Sequence, residues 1–453
     1  QVSVKSVLLN RGGYSYLTGP AVPGKEKQEA APVPGGSTPS LPWTVRVGSV
    51  VLDDNRAEYG LLNHRPAAGF DPSFIALSTL DLAVDSIYNR GADIALQIRM
   101  AFTERSGLTV SDMTGDIGMD ASGISLAGVT LKTPFSRIEA NISAGEGILA
   151  LAPDSPLKAA LTADVNTKDL KYLYPALIPP MLDGRIVSLA LTAAGTLGDI
   201  GKAGLDISSP GHVAFTADGA ARNVLDPDRM EASARFEGDF RDMAFLEALL
   251  PDSALRRRIA IPDRIRLRGT AGADKGAFSA ASTLSTDGGE IALQGQLDTR
   301  SEAYEIELRC DSFPLNRFLP ADSLGLLDLA LQAGGSGFDP LRAQTRGNIR
   351  LQVDRAEFRG RDFGGVELNA NLEGGQLSGR LSDRDEALRL LLLVSGTLTE
   401  RKQEVRLTGN VFDFDLAELG ISPQKIGGSF ALEAGASASD AGSYTARIAL
   451  DSI

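Results

Sequence analysis

The chain has 453 residues, enough for several ordinary domains or one extended repeat array. Hydrophobic residues make up 43% and aromatics only 6%, with a single Trp43, so the apolar mass is aliphatic and suits thin sheets better than one thick core. A formal net charge of −13 repels phosphate backbones and anionic headgroups, which argues against nucleic acid and against docking on a membrane surface, while Cys310, the one cysteine, excludes an internal disulfide and a thiolate cluster.

In chain order, Val2 to Asn10 opens in strand-like sequence, with no signal peptide and no apolar run of membrane-spanning length. The far end, Ile448 to Ile453, also breaks off in strand-like sequence, so the chain is expected to be a piece of something longer. Residues 18–42 are rich in Pro, Gly and charge and read as a disordered loop between neighbouring strands. From Trp43 onward the period is two. Val45, Val47 and Val50 begin it; Leu80, Leu82 and Val84 alternate with Asp81, Ala83 and Asp85; Ile94, Leu96 and Ile98 follow, then Ile124, Leu126 and Val129. Gly, Asp, Asn and Ser punctuate these runs at the spacing of an antiparallel meander.

After residue 156 one arrangement recurs four times: a strand, a short amphipathic segment, a proline, then a strand ending in small residues. The copies start near Leu157, Met230, Glu302 and Lys402, and their short segments are Leu170 to Tyr174, Met243 to Leu250, Leu315 to Leu319 and Leu416 to Leu419. Each segment is predicted to make one or two helical turns. The chain therefore divides into an N-terminal β region, 1–156, and repeated β units, 157–453, stacked side by side.

The strand–helix–proline–strand unit resembles the AsmA-like superfamily, and its TamB-like members in particular. Trp43 to Tyr59 is similar to the strand entry of TamB-like proteins of the Bacteroidota, as is the stretch from Leu80 that contains ERSGL (Glu104 to Leu108) and TPFS (Thr133 to Ser136). The resemblance covers roughly residues 43–453. It implies a periplasmic protein, anchored in the inner membrane by an N-terminal helix outside this chain, that supports outer-membrane biogenesis. It further implies phospholipid acyl chains as cargo and a BamA/TamA-type outer-membrane barrel as partner, reached through regions outside this chain.

Catalysis needs convergent acid, base or nucleophile groups, and the inventory here is thin. His64 and His212 stand apart from any nucleophile or metal-type spacing, so the chain reads as a non-enzyme with no cofactor and no metal. Cys310 falls on the apolar phase of its strand and reads as a small buried hydrophobe. The carboxylate pairs Asp53–Asp54, Asp226 with Asp228, and Asp383 with Asp385 read as turn residues in an acidic chain. Gly115 to Gly118 and Gly334 to Gly337 lack the strand–helix context of a phosphate loop and also read as turns. Arg256 to Arg258 reads as a solvated helix end.

The apolar strand phases carry the remaining interest. Val187, Leu189 and Leu191 share one phase, as do Ile306 and Leu308; Leu327, Leu329 and Leu331; Val405 and Leu407; and Phe430 and Leu432. Alternation alone leaves two arrangements open: a closed sandwich, or an open sheet whose apolar face lines a trough. The resemblance favours the second, an all-β, elongated, curved antiparallel β-sheet groove built of stacked repeats, with short interspersed helices, an apolar concave face and a charged convex one. Val187, Leu189, Leu191, Ile306, Leu308, Leu327, Leu329, Leu331, Leu407, Phe430 and Leu432 are then the expected groove lining. Two rival functions stand beside lipid carriage: a scaffold assisting outer-membrane protein assembly by β-strand pairing, and a surface β-helix acting on carbohydrate.

Overall fold

The computed structural model describes residues 2–10, 13–18, 44–61, 64–90, 93–120, 123–145, 152–175, 184–243, 258–320, 322–438 and 444–452. The chain forms two compact units, Gln1–Asp226 and Pro227–Ile453. The loop expected at 18–42 lies, beyond Thr18, outside the described residues.

The first unit contains β1 (Val2–Asn10), β2 (Gly13–Thr18), β3 (Thr44–Leu61), β4 (Phe74–Arg90), β5 (Asp93–Glu104), β6 (Thr109–Asp120), β7 (Gly123–Lys132), β8 (Arg137–Ala144), β9 (Pro156–Asn166), α1 (Thr167–Leu173), β10 (Ile186–Thr196), β11 (Ile200–Ser209) and β12 (Val213–Arg222). From β3 to β12 every strand pairs antiparallel with the next in sequence. One exception to the expected antiparallel pairing stands at the start: β1 and β2 both run parallel to β3 along its outer edge. A parallel pair needs a long crossover, and the segment between Thr18 and Thr44 is long enough to supply one.

The second unit contains β13 (Glu231–Arg241), β14 (Arg264–Asp274), β15 (Ala277–Ser285), β16 (Glu290–Asp298), β17 (Ala303–Pro314), α2 (Leu315–Phe318), β18 (Leu324–Ser336), β19 (Arg346–Phe358), β20 (Arg361–Phe363), β21 (Val366–Glu373), β22 (Gln376–Arg384), β23 (Leu388–Leu398), β24 (Gln403–Asp415), β25 (Gly427–Ala438) and β26 (Tyr444–Ser452). It is again an antiparallel meander, in which β20 and β21 share the edge of β19. The fold is all-β, and among the described residues no pairing closes either sheet into a barrel.

Alternating strand direction sends successive connections to two opposite rims. In each unit one rim receives the long connections: 62–73 and 167–185, which begins with α1, in the first, and 242–263, 315–323, which begins with α2, and 416–426 in the second. Their backbones and side chains tie to one another sideways. Phe70 N–H donates to Leu173 O (3.0 Å), Ala260 N–H donates to Phe318 O (2.8 Å), and Arg105 donates to Ala67 O and Gly69 O (2.9 Å each). Arg258 pairs with Asp322 at 2.9 Å, and Arg359 and Arg361 reach Gly420 O and Glu418. Arg258 is thus a staple between connections, whereas Arg256 and Arg257 lie outside the described residues. The opposite rim carries mostly short turns, such as Lys275–Gly276 and Gly374–Gly375, with 145–155 and 337–345 the longer exceptions.

The fully buried apolar residues mark where the core sits. Leu80, Val110, Ala163, Met243, Cys310, Phe313, Ala387, Leu392 and Val411 lie either in the long-connection rim or in the half of their strand nearest to it.

Two expectations are corrected. The glycine runs at Gly115 and Gly334 are strand interiors in β6 and β18, not turns; only Gly337, at φ +82°, turns. A Cβ on Gly115 would sit 2.9 Å from Val129 Cγ2, so the close approach of β7 requires glycine there. Of the four short segments, Leu170 to Leu173 lies in α1 and Leu315 to Phe318 forms α2, but Leu416 to Leu419 is a hydrogen-bonded turn. Met243 is the one described residue of the remaining segment.

Candidate functional site

Strand alternation, carried across the register shifts that several pairings contain, produces one apolar face in each unit. In the first unit a single row crosses from β4 to β12 as Leu82, Met100, Met113, Leu131, Ile138, Ala163, Leu189, Ile207 and Phe215, each directly opposite the next. In the second, leucine stands opposite leucine over seven strands from β16 to β23: Leu293, Leu308, Leu331, Leu351, Leu368, Leu381 and Leu392. Beside it runs a narrower row of Ile306, Ala333, Ile349, Ala370, Gly379, Val394 and Leu407.

The expected lining residues fall on these faces. Val187, Leu189 and Leu191 stand opposite Val165, Ala163 and Leu161 in the first unit. Leu308 and Leu331 are direct partners, Leu432 continues their row through Gly409, and Ile306 and Leu407 share the row beside it. Leu329 opposes Cys310, Leu327 opposes Phe313, and Phe430 opposes Val411. None of the eleven is fully buried, and Leu191 and Ile306 are 40% and 39% exposed. The intervening strands contribute residues that the repeat copies did not point to, above all Leu293, Leu351, Leu368, Leu381 and Leu392. The same alternation marks them, for example Ile349, Leu351 and Val353 in β19.

The opposite face is polar. Lys132 pairs with Asp112 at 3.0 Å, Gln332 donates to Glu307 at 2.7 Å, and Arg264 pairs with Asp239 at 2.6 Å. The Arg264 guanidinium, with Arg241 behind it, holds the Asp239 carboxyl well below the usual carboxylate range. An open cleft of about 480 Å³ on this side is bordered by Asp274, Ser279, Gln296, Asp298 and Glu305.

The residues weighed for chemistry are placed structurally. His64 Nε2 lies 2.7 Å from Asp71, which also accepts the Ala67 and Ser73 N–H groups. These contacts, the Ala67 amide first, bring the Asp71 carboxyl down to about 2 and fix the 64–73 segment. His212 N–H donates to Ser209 O in the turn between β11 and β12. Cys310 is buried, and burial pushes its thiol up, away from nucleophilic character. Asp385 accepts from Gly364 and Ala387, and Asp383 accepts the Asp385 N–H. Among the described residues no three His, Cys, Asp or Glu side chains converge as metal ligands.

No protein-family model, no curated protein and no solved structure matches this chain.

Proposed function

We propose that the chain is a segment of a TamB-like periplasmic bridge and that phospholipid acyl chains travel along the apolar face of each unit. The observation that carries this reading is the apolar register together with its incomplete burial. Apolar rows cross nine strands in one unit and seven in the other, and although Ala163 and Leu392 within them are buried, the eleven expected lining residues keep solvent access. Soluble monomers rarely leave a contiguous apolar patch of more than a few hundred Å² uncovered. Thirteen strands at ~4.8 Å per step give the second sheet a reach on the order of 60 Å.

An acyl chain satisfies such a face without any specific residue. Each buried methylene contributes about 0.8 kcal/mol, so a lipid is held by length rather than by a polar anchor. Alanines between the leucines, as at Ala333 and Ala370, put small side chains beside them on the same face. No nucleotide or metal enters this scheme; the face provides a path and the lipid gradient supplies direction.

Native mass spectrometry of the purified chain, joined to site-specific photo-crosslinking, tests the proposal. Crosslinkers at Leu189 and Leu331 are expected to capture phospholipid, while those at Thr192 and Gln332 on the polar side stay bare. Absence of co-purifying lipid together with bare Leu189 and Leu331 overturns it, and adducts to outer-membrane protein strands instead would favour the strand-pairing scaffold.

A further inference from the structure

We propose that each apolar face binds its amphiphile broadside and in one orientation, with acyl ends under the long-connection rim and the ionic headgroup at the short-turn rim. The proposal rests on the lipid reading above and adds a direction across the strands to it.

The two margins of the face are built differently. Among the described residues the nine buried apolar side chains belong to the long-connection margin of their units. In the second unit the cover is explicit: Phe318 of α2 stacks on Phe313 of β17 with ring centroids 5.0 Å apart, and Phe313 stands opposite Leu327 on the apolar side. The short helix therefore folds over the face rather than away from it.

On several strands exposure rises toward the other rim. On β17, Cys310 is 4% exposed and Ile306, two positions further along the same face, is 39% exposed. On β19, Val353 is half-buried and Ile349 is exposed; on β8, Ile138 is half-buried and Ile142 is exposed. Three strands in two separate units share this gradient, so it does not depend on one loop.

Both rims carry ion pairs, but among the described residues the buried apolar side chains stand beside those of the long-connection rim and not beside those of the short-turn rim. Exposed cations and carboxylates sit there side by side: Lys275 with Glu231 at 2.6 Å, Lys402 with Glu404 at 2.8 Å, and Arg342 with Asp339 at 3.4 Å. An ionic headgroup at that rim stays in water beside charges of both signs. At the long-connection rim it would have to displace packed apolar residues and lose hydration, which is strongly unfavourable. Acyl termini have the reverse preference.

Two photoreactive phospholipids distinguish the ends, one with a diazirine at the acyl terminus and one with a diazirine in the headgroup, each supplied in phosphatidylcholine vesicles to the whole chain. Acyl-terminal adducts are expected around Leu308, Phe318 and Leu327, and headgroup adducts at residues 275–276, 299–302 and 399–402, with the two maps disjoint. Headgroup adducts on α2 or on 258–260, or both probes labelling both rims alike, overturn the orientation while leaving lipid binding intact. A chain that both probes leave unlabelled overturns the lipid reading itself, and the orientation with it.

Discussion

Asp383 occupies a position where register calls for an apolar side chain. It shares its strand face with Leu381 and stands opposite Leu390, yet it is a carboxylate only 8% exposed. The Asp385 N–H, which donates to it at 2.9 Å, explains why an acceptor is kept, but burial still pushes its pKa up. A carboxyl whose folded pKa is raised costs stability above that pKa and nothing below the unfolded value, where both states are protonated. Asp383→Asn keeps an acceptor and removes the charge. Its melting temperature should exceed that of the parent at pH 7, and the gain should vanish as pH falls below about 4; equal melting at both pH values would refute this account. At the same scale, sequence placed Cys310 correctly because alternation is a local property. It misplaced Gly115 and Gly334, because a strand glycine is demanded by a neighbour distant in sequence. Gly335 shows this well: a Cβ there would collide with the Arg346 carbonyl oxygen on β19, so the neighbouring backbone leaves no room for a side chain.

The elements that sequence marked as repeats owe their form to the rim. A seven-residue helix such as α1 is too short to persist alone. Asn166 caps it by accepting the Lys168 N–H at 3.0 Å, and the buried Asp169 accepts from the hydroxyls of Thr133 and Ser136. The TPFS segment is therefore the turn that receives α1, and ERSGL is the turn whose Arg105 holds the 64–73 segment. Both were legible as distinctive, but not as parts of one rim, since that depends on strand direction counted across several hairpins. Asp169→Ala takes away the acceptor of the buried Ser136 hydroxyl and one acceptor of the half-buried Thr133 hydroxyl, and should cost about 1–3 kcal/mol in urea unfolding. Asn166→Ala should cost about 1 kcal/mol through loss of the cap. The turn at 416–419 shows the limit of local pattern. Leu419 N–H does reach Asp415 O, but Gly420 at φ +68° ends the turn before further bonds can offset helix nucleation.

At the scale of a whole unit, period-two alternation made the all-β meander legible almost throughout. It could not decide whether the apolar phase packs against a second layer, because a closed core and an open face have the same alternation. Burial separates them residue by residue within a single row. Leu331 and Leu392 belong to one leucine row, but Leu331 keeps solvent access and Leu392 is 9% exposed under the rim. Leu331→Arg should cost about 1–2 kcal/mol, since the guanidinium can run along the face to water. Leu392→Arg strands a charge without a partner and should cost about 3–5 kcal/mol. Equal losses in chemical denaturation would mean that the face is covered along its whole width.

Pairing confined to sequence neighbours also bears on how the chain acquires its structure. In both meanders a new strand needs only the strand just before it, so the loop closed at each step is short and its entropic cost small. Contacts this local belong to the fast end of folding topologies despite the all-β content. Each hairpin can settle on the growing edge while the rest of the polypeptide is still emerging from a ribosome or a secretion pore. The strands β1 and β2 are the exception. Their parallel partner β3 arrives only after a long intervening segment, so these two strands must wait for their place in the sheet.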